Sequence, residues 1–237
     1  MITKSLCCRK CGSTNLVKNG SNSAGNPKSK CKDCGFGGVI ESKRPSEETK
    51  DLISKAYQER SSLRGVGRVF GVSHQSVLNW AKKKAMMSPE LPQTLQRAQA
   101  DDVLELDEMW SFVYQRANKH WLWIALCRRT RQVVAFFLGD RSEQSCQCLW
   151  DLVPLEYKHS TTYSDFWKAY AKVIQTGKHH SVGKDTGQTA HVERFNNTVR
   201  QRLARYVRHT LSFSKCKLNH FWFTHYFIAN YNLSLVI

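Results

Sequence analysis

VLELDEMWSFV, residues 103–113, is apolar with polar interruptions, the pattern of a central strand that carries functional groups. Residues 121–127 and 132–138 read as two further strands, joined by the basic turn Arg128-Arg129-Thr130-Arg131. Ser142 is placed to cap a helix running to Val153, with Cys146, Leu149 and Trp150 inward. A short strand at 161–164 ends at Asp165, a helix is expected over 166–174, and another strand over 179–182. The order is three strands, helix, strand, helix, strand, helix. It predicts an α/β domain whose first strands form an antiparallel meander.

The last helix is expected over residues 186–208, TGQTAHVERFNNTVRQRLARYVR. Val192, Phe195, Val199, Leu203 and Tyr206 form one apolar stripe at helical period. A single acid, Glu193, stands among Arg194, Arg200, Arg202, Arg205 and Arg208, and no Asp or Glu follows it. Taken alone, Glu193 reads as an acid favoured by the helix dipole, with the arginines facing solvent. The alternative is a metal ligand beside a phosphate-binding surface.

Upstream, Cys8-Arg-Lys-Cys11-Gly12 and Cys31-Lys-Asp-Cys34-Gly35 match the spacing of a structural four-thiolate Zn²⁺ site. Cys7 is the substitute for Cys8, with a poorer spacing. Residues 18–30, rich in Gly, Ser, Asn and Lys, are expected to hold no structure without metal. Three helical patterns follow. Residues 49–60 carry Leu52, Ile53, Ala56 and Tyr57 on one face; Leu63, Val66, Val69 and Phe70 mark a short second helix; Ser73 caps a third. The Gly71-Val72 turn between the last two makes a helix-turn-helix pattern. His74, Gln75, Asn79, Lys82 and Lys83 would then be exposed, with Gln and Asn suited to adenine edges and Lys to phosphate. The competing reading is a plain three-helix bundle with a solvated basic face. Met87 to Pro92 breaks the pattern, so the expected domains are 1–44, 45–86 and 101–237, with 87–100 as linker.

A net charge of +17 makes a polyanion the expected partner, and nucleic acid is the commonest. No apolar run approaches the roughly 18 residues of a spanning helix, and no signal-peptide pattern opens the sequence. Nine cysteines, four in tight pairs, favour metal binding in a reducing cytosol over a disulfide framework.

Asp107 in the first strand, Asp165 at the end of the fourth and Glu193 on the helix are the acids that an open α/β sheet can gather. Three close carboxylates are unfavourable unless a cation joins them, and oxygen ligands favour Mg²⁺ or Mn²⁺. Spacing alone leaves Asp101, Asp102, Glu105 and Glu108 open as the first acid, and helix capping open for Asp165. Glu108, next to Asp107 on a strand, should face the other way, so its loss is expected to be mild.

LDEMWSFV, YSDFWKAY and HVERFNNTVRQRLARYVRHTLSFSK resemble the transposases of the IS1 insertion-sequence family. The similarity spans nearly the whole chain, in the order zinc ribbon, helix-turn-helix, catalytic domain. It implies a DDE transposase with an RNase H-like core, a mixed sheet flanked by helices, ending in basic C-terminal helices. Asp107, Asp165 and Glu193 would be its catalytic acids and hold Mg²⁺ (or Mn²⁺), and Cys8, Cys11, Cys31 and Cys34 would hold Zn²⁺. The family often encodes its two parts in separate frames joined by frameshifting, and this chain resembles the fused product. The expected partners are double-stranded DNA, as element ends and target, and a homo-oligomer on that DNA. The expected location is the cytoplasm and nucleoid of a bacterial or archaeal cell. His74, Gln75, Asn79, Lys82, Lys83, Arg194, Arg200, Arg202 and Arg205 are the expected DNA contacts. The rival functions are a nuclease without strand transfer and a regulator that uses only residues 1–85.

Overall fold

The computed structural model describes residues 6–23, 25–40 and 44–236. The chain divides into two compact units, Met1–Asp51 and Leu52–Ile237. In the first, β1 (Leu16–Ser21), β2 (Pro27–Cys31) and β3 (Gly37–Gly38) form an antiparallel sheet in that order. A β1–β2 hairpin therefore occupies the stretch expected to lack structure of its own. Cys8 and Cys31 are buried at its base.

The boundary falls within α1 (Glu47–Tyr57). α2 (Leu63–Phe70) and α3 (His74–Met86) follow, each capped by a serine hydroxyl: Ser62 accepts from the N–H of Gly65, and Ser73 from that of Ser76. Gly71 ends α2 at φ 64°, a left-handed conformation that glycine takes without a Cβ penalty. Ile53, Val66 and Val77 make a small core with Tyr57, Leu63, Phe70, Val72 and Trp80. Leu52, expected inward, is 56% exposed.

The second sheet contains β4 (Val103–Phe112), β5 (Lys119–Cys127), β6 (Val133–Gly139), β7 (Thr161–Ser164) and β8 (His179–Ser181), in the order β6-β5-β4-β7-β8. β4, β5 and β6 pair antiparallel as the expected meander, whereas β7 and β8 run parallel to β4. Helices cover both faces, which explains why β5 reads as a nearly continuous apolar run and why β4 is apolar apart from its interruptions by polar groups. On one face α4 (Glu143–Leu152) and α5 (Lys168–Val173) bury Cys146, Leu149, Trp150, Ala169 and Tyr170 against Leu104, Leu106 and Trp123. On the other, α6 (Ala190–Arg202) and α7 (Lys217–Ser234) bury Val192, Phe195, Val199, Phe227 and Ile228 against Met109, Leu122 and Ile124. Each Val, Leu, Ile, Phe or Met among them contributes about 1.5–3 kcal/mol of burial free energy.

Three expectations change. The long helix stops at Arg202, where Leu203 turns extended (φ −102°, ψ 108°), though Leu203 and Tyr206 remain buried on the same stripe. A further helix, α7, follows and is not basic as the C-terminal helices were expected to be: it holds one lysine, and it is aromatic because it packs on two sides. Phe227 and Ile228 meet the sheet side, while Phe223 packs with Ala81 and Ala85 of α3. The expected linker is also tied down. Thr94 is buried, its carbonyl accepts from Gln132 Nε2 at 2.8 Å, and its hydroxyl accepts from Asn232 Nδ2 at 2.9 Å. Among the described residues no helix is long and apolar enough to cross a membrane.

Candidate active site

Alternation along β4 turns Glu105, Asp107 and Met109 toward α6, and Leu104, Leu106 and Glu108 toward α4 and α5. The parallel register pairs Glu105 with Tyr163, so two residues further Asp165 comes level with Asp107. Ligand oxygens of Asp107, Glu108 and Asp165 all lie within 4.8 Å of one another. Asp165 also accepts from the Trp167 N–H at 2.9 Å, an Asx-type turn before α5 rather than the expected helix cap, since α5 has no side-chain cap.

Burial, then the charges of Glu108 and Asp165, push Asp107 up to about 7, against the relief that hydrogen bonds from the Glu108 backbone and Asn196 provide. Glu108 is raised as well, by burial and by Asp165, although Tyr170 and Arg141 bond to it. Carboxyls held above their ordinary range in this way favour a proton or a cation among them. An all-oxygen donor set of this kind fits a hard divalent ion such as Mg²⁺ or Mn²⁺.

Glu108 makes its hydrogen bonds on the α5 side of β4, yet its carboxylate still comes within 4.8 Å of Asp107, so it is no bystander. Arg141 donates to it through Nε (2.9 Å) and Nη2 (2.6 Å), and Tyr170 through its hydroxyl (2.8 Å). The Arg141 guanidinium in turn lies over the rings of Trp121 and Trp167. Glu193 lies outside the acidic grouping and accepts from the Thr189 hydroxyl at 3.1 Å. One turn later Asn196 donates to Asp107 at 2.7 Å.

What holds α6 in register is Glu105, which is fully buried. It accepts from the backbone N–H of His191 (2.9 Å) and Val192 (3.1 Å), bonds the His191 ring, and pairs with Arg128 Nε at 2.7 Å. These are orphan donors of the first helical turn, satisfied by a strand. Removing one partner of a buried pair costs about 3–5 kcal/mol. Glu105→Ala should therefore lower unfolding free energy by about that much in a denaturant titration. A loss below ~1 kcal/mol would show that the anchor is dispensable. Neither Glu105 nor Asn196 was singled out by sequence for this work. The usable signals were two-residue spacing from Asp107 on a strand and three-residue spacing from Glu193 on a helix.

The expected DNA contacts separate into two groups. His74, Gln75, Asn79, Lys83 and Arg194 are exposed, Lys82 and Arg200 are half-buried, and Gln75 bonds Asn79 at 3.0 Å. Arg200 keeps one buried guanidinium nitrogen, Nη1, without a hydrogen bond. Arg205 is a correction to the expected DNA surface, because it is buried, and Arg202 is already engaged by a protein partner. Arg202 pairs with Glu59 and lies over Phe227. Arg205 is 7% exposed, donates to Ser214 and Tyr57, and stacks on Phe223. The charge of Arg205 is thus spent inside the fold, while that of Arg202 is spent in a partly exposed surface pair.

In the N-terminal unit, Cys8, Cys11, Cys31 and Cys34 group with sulfurs 3.6 Å apart for Cys8–Cys34 and for Cys11–Cys31. Zn–S bonds of about 2.3 Å in a tetrahedron require sulfur edges of roughly 3.8 Å, so the four thiols fit that ion. The grouping uses Cys8, which is buried, and leaves out Cys7, which is exposed.

Comparison with known proteins places the chain in the class of insertion-element proteins. A family profile described as IS1 transposase matches residues 102–231. The chain is 37% identical over 113 residues to the insertion element iso-IS1n protein InsB of Shigella dysenteriae, covering 48% of this chain and 83% of that protein. It is 35% identical over 111 residues to the insertion element IS1 protein InsB of Shigella flexneri, covering 47% and 82%. With the insertion element IS1 2 protein InsB of Escherichia coli (strain K12) the identity is 34% over 116 residues, covering 49% and 67%. This chain belongs to the IS1 transposase family.

Proposed function

We propose that the chain is a DDE transposase: it binds the terminal inverted repeats of its element and catalyses metal-dependent cleavage and strand transfer of DNA. The observation that carries this reading is the convergence of Asp107 and Asp165 from adjacent parallel strands, in a chain of net charge +17. The strand order and the helices on both faces support an RNase H-like core for residues 101–237. Asp107 and Asp165 would hold Mg²⁺ or Mn²⁺, with Glu193 as the third acid. Bound divalent ions supply Lewis-acid stabilisation of the attacking and leaving oxygens of a phosphodiester.

The chain's own residues do the rest. Asn196 fixes one oxygen of Asp107, Arg141 and Tyr170 fix Glu108, and Glu105 holds the helix that carries Glu193. Arg194 and Arg200 are placed to hold DNA phosphates, and guanidinium suits bidentate contact with them. We assign residues 45–86 to a helix-turn-helix that reads DNA and residues 1–44 to a zinc ribbon. The active assembly is a homo-oligomer on DNA.

Incubating the protein with labelled element ends and Mg²⁺, then sizing the products, tests the function. Cleaved and joined products are expected. Cleavage without joining would reduce the protein to a nuclease, and binding alone to a regulator. The reading helix has its own signature. Gln75→Ala or Asn79→Ala should weaken binding to the terminal repeat by roughly tenfold while sparing random duplex, since a good base contact is worth about 1–3 kcal/mol. Lys83→Ala should weaken both alike and reduce the salt slope by about one. Equal losses on both DNAs for all three changes would remove base reading from α3.

A further inference from the structure

Beside the acidic cluster a groove of about 300 Å³ is lined by Arg141, Asp165, Phe166, Trp167, Val182, Gly183 and Lys184. That volume is at the small end of the range for ligand sites. Phe166 directly follows Asp165 and is 70% exposed. The Asx-type bond from the Trp167 N–H to Asp165 turns the chain at this point. Trp167 tucks under the Arg141 guanidinium, and Phe166 is left projecting. A Cβ on Gly183 would stand 3.7 Å from the Phe166 ring and run into the Asp185 carboxylate. The ring edge thus lies at ordinary contact distance from the 183 position, and the glycine leaves room there for the Asp185 carboxylate. An aromatic side chain kept out of the core beside two cations forgoes its burial free energy, and such a surface suits a flat, anionic ligand.

We propose that this groove is a stacking subsite for one unpaired nucleobase next to the phosphodiester held at Asp107 and Asp165. Phe166 is the platform, and Arg141 and Lys184 face the adjoining phosphates. Every base has a π-face, so the subsite takes a base of any sequence from a frayed or nicked end. The proposal rests on the transposase reading above and names the part of the DNA that enters.

The test uses the full chain with zinc in an Asp107→Asn background, so that no probe is cut. One probe is a duplex with a 3′ tract of deoxyadenosines; a second has abasic sugars in that tract; a third is fully paired. The Phe166-containing protein should prefer the deoxyadenosine tract over the abasic one by roughly tenfold, the value of one stacked base. Phe166→Ala should erase this preference, Phe166→Trp should restore it, and neither should change binding to the paired duplex. The subsite is overturned by an undiminished preference in Phe166→Ala, or by equal loss of binding on all three probes. It is overturned too if Phe166→Ala changes the oligomeric state of the free protein, because the ring would then cover a second copy. The paired probe reports on the underlying reading separately: absence of any binding to it, with no cleavage by the unmodified chain, sinks the transposase assignment.

Discussion

Asp107→Asn and Asp165→Asn are each expected to cut strand cleavage by at least roughly 10³-fold, because metal stabilisation of the transition state is worth several kcal/mol and each ~1.4 kcal/mol is tenfold in rate. Both replacements keep shape and remove a charge from a cluster whose oxygens lie within 4.8 Å of one another. Glu193→Gln is expected to match them in rate. Binding to element ends should survive in all three variants. Glu108→Gln is not the mild control that strand alternation suggests, since it alters the partner of both Arg141 and Tyr170. Glu143→Gln, an exposed acid on α4, serves instead and should retain activity. Full cleavage by Asp107→Asn or Asp165→Asn in a kinetic assay would end the DDE reading.

The same cluster carries a pH signature with a definite sign. Asp107 titrates near 7 in the fold, above its ordinary range, so the protonated form is the one that folding favours. Without metal, stability should therefore fall as pH rises from the usual carboxylate range to about 7. Mg²⁺ displaces that proton, and its stabilising effect should be small below about 7 and larger above it. Thermal melts with and without Mg²⁺ across that interval read both trends, and a metal effect independent of pH would separate Asp107 from the ion.

Cys8→Ser is the second large expectation. Apparent binding free energies of structural zinc in small modules are about 10–16 kcal/mol, and they are folding free energies too. The variant should lose its zinc and the β1–β2 hairpin together, while the second unit still melts cooperatively. About one zinc per chain is expected in the unmodified protein. Retention of full zinc by Cys8→Ser would turn attention to Cys7.

Much of this was legible in the chain because it rests on local chemistry. The caps at Ser73 and Ser142, the meander, and the stripe from Val192 to Tyr206 depend on neighbours a few residues away. Features missed by the sequence depend on partners that the fold brings from afar. Arg205 looks solvent-facing by pattern, yet its bond to Tyr57 spans 148 residues. Arg141 reaches Glu108 across 33 residues, and Glu105 finds the start of α6 across 86. The aromatic α7 has no clear periodic face because α3 claims one side and the sheet the other.

That double claim on α7 has a mechanical meaning. The helix assigned to read DNA and the strand that carries Asp107 belong to one unit, joined through a shared aromatic wall around Phe223 and Phe227. Neither can slide along a duplex without the other. On the proposed function the molecule would work as a caliper: the number of base pairs between the sequence read by α3 and the bond cut at Asp107 would be set by the protein, and one added pair would shift the target phosphate by about 3.4 Å out of its jaws.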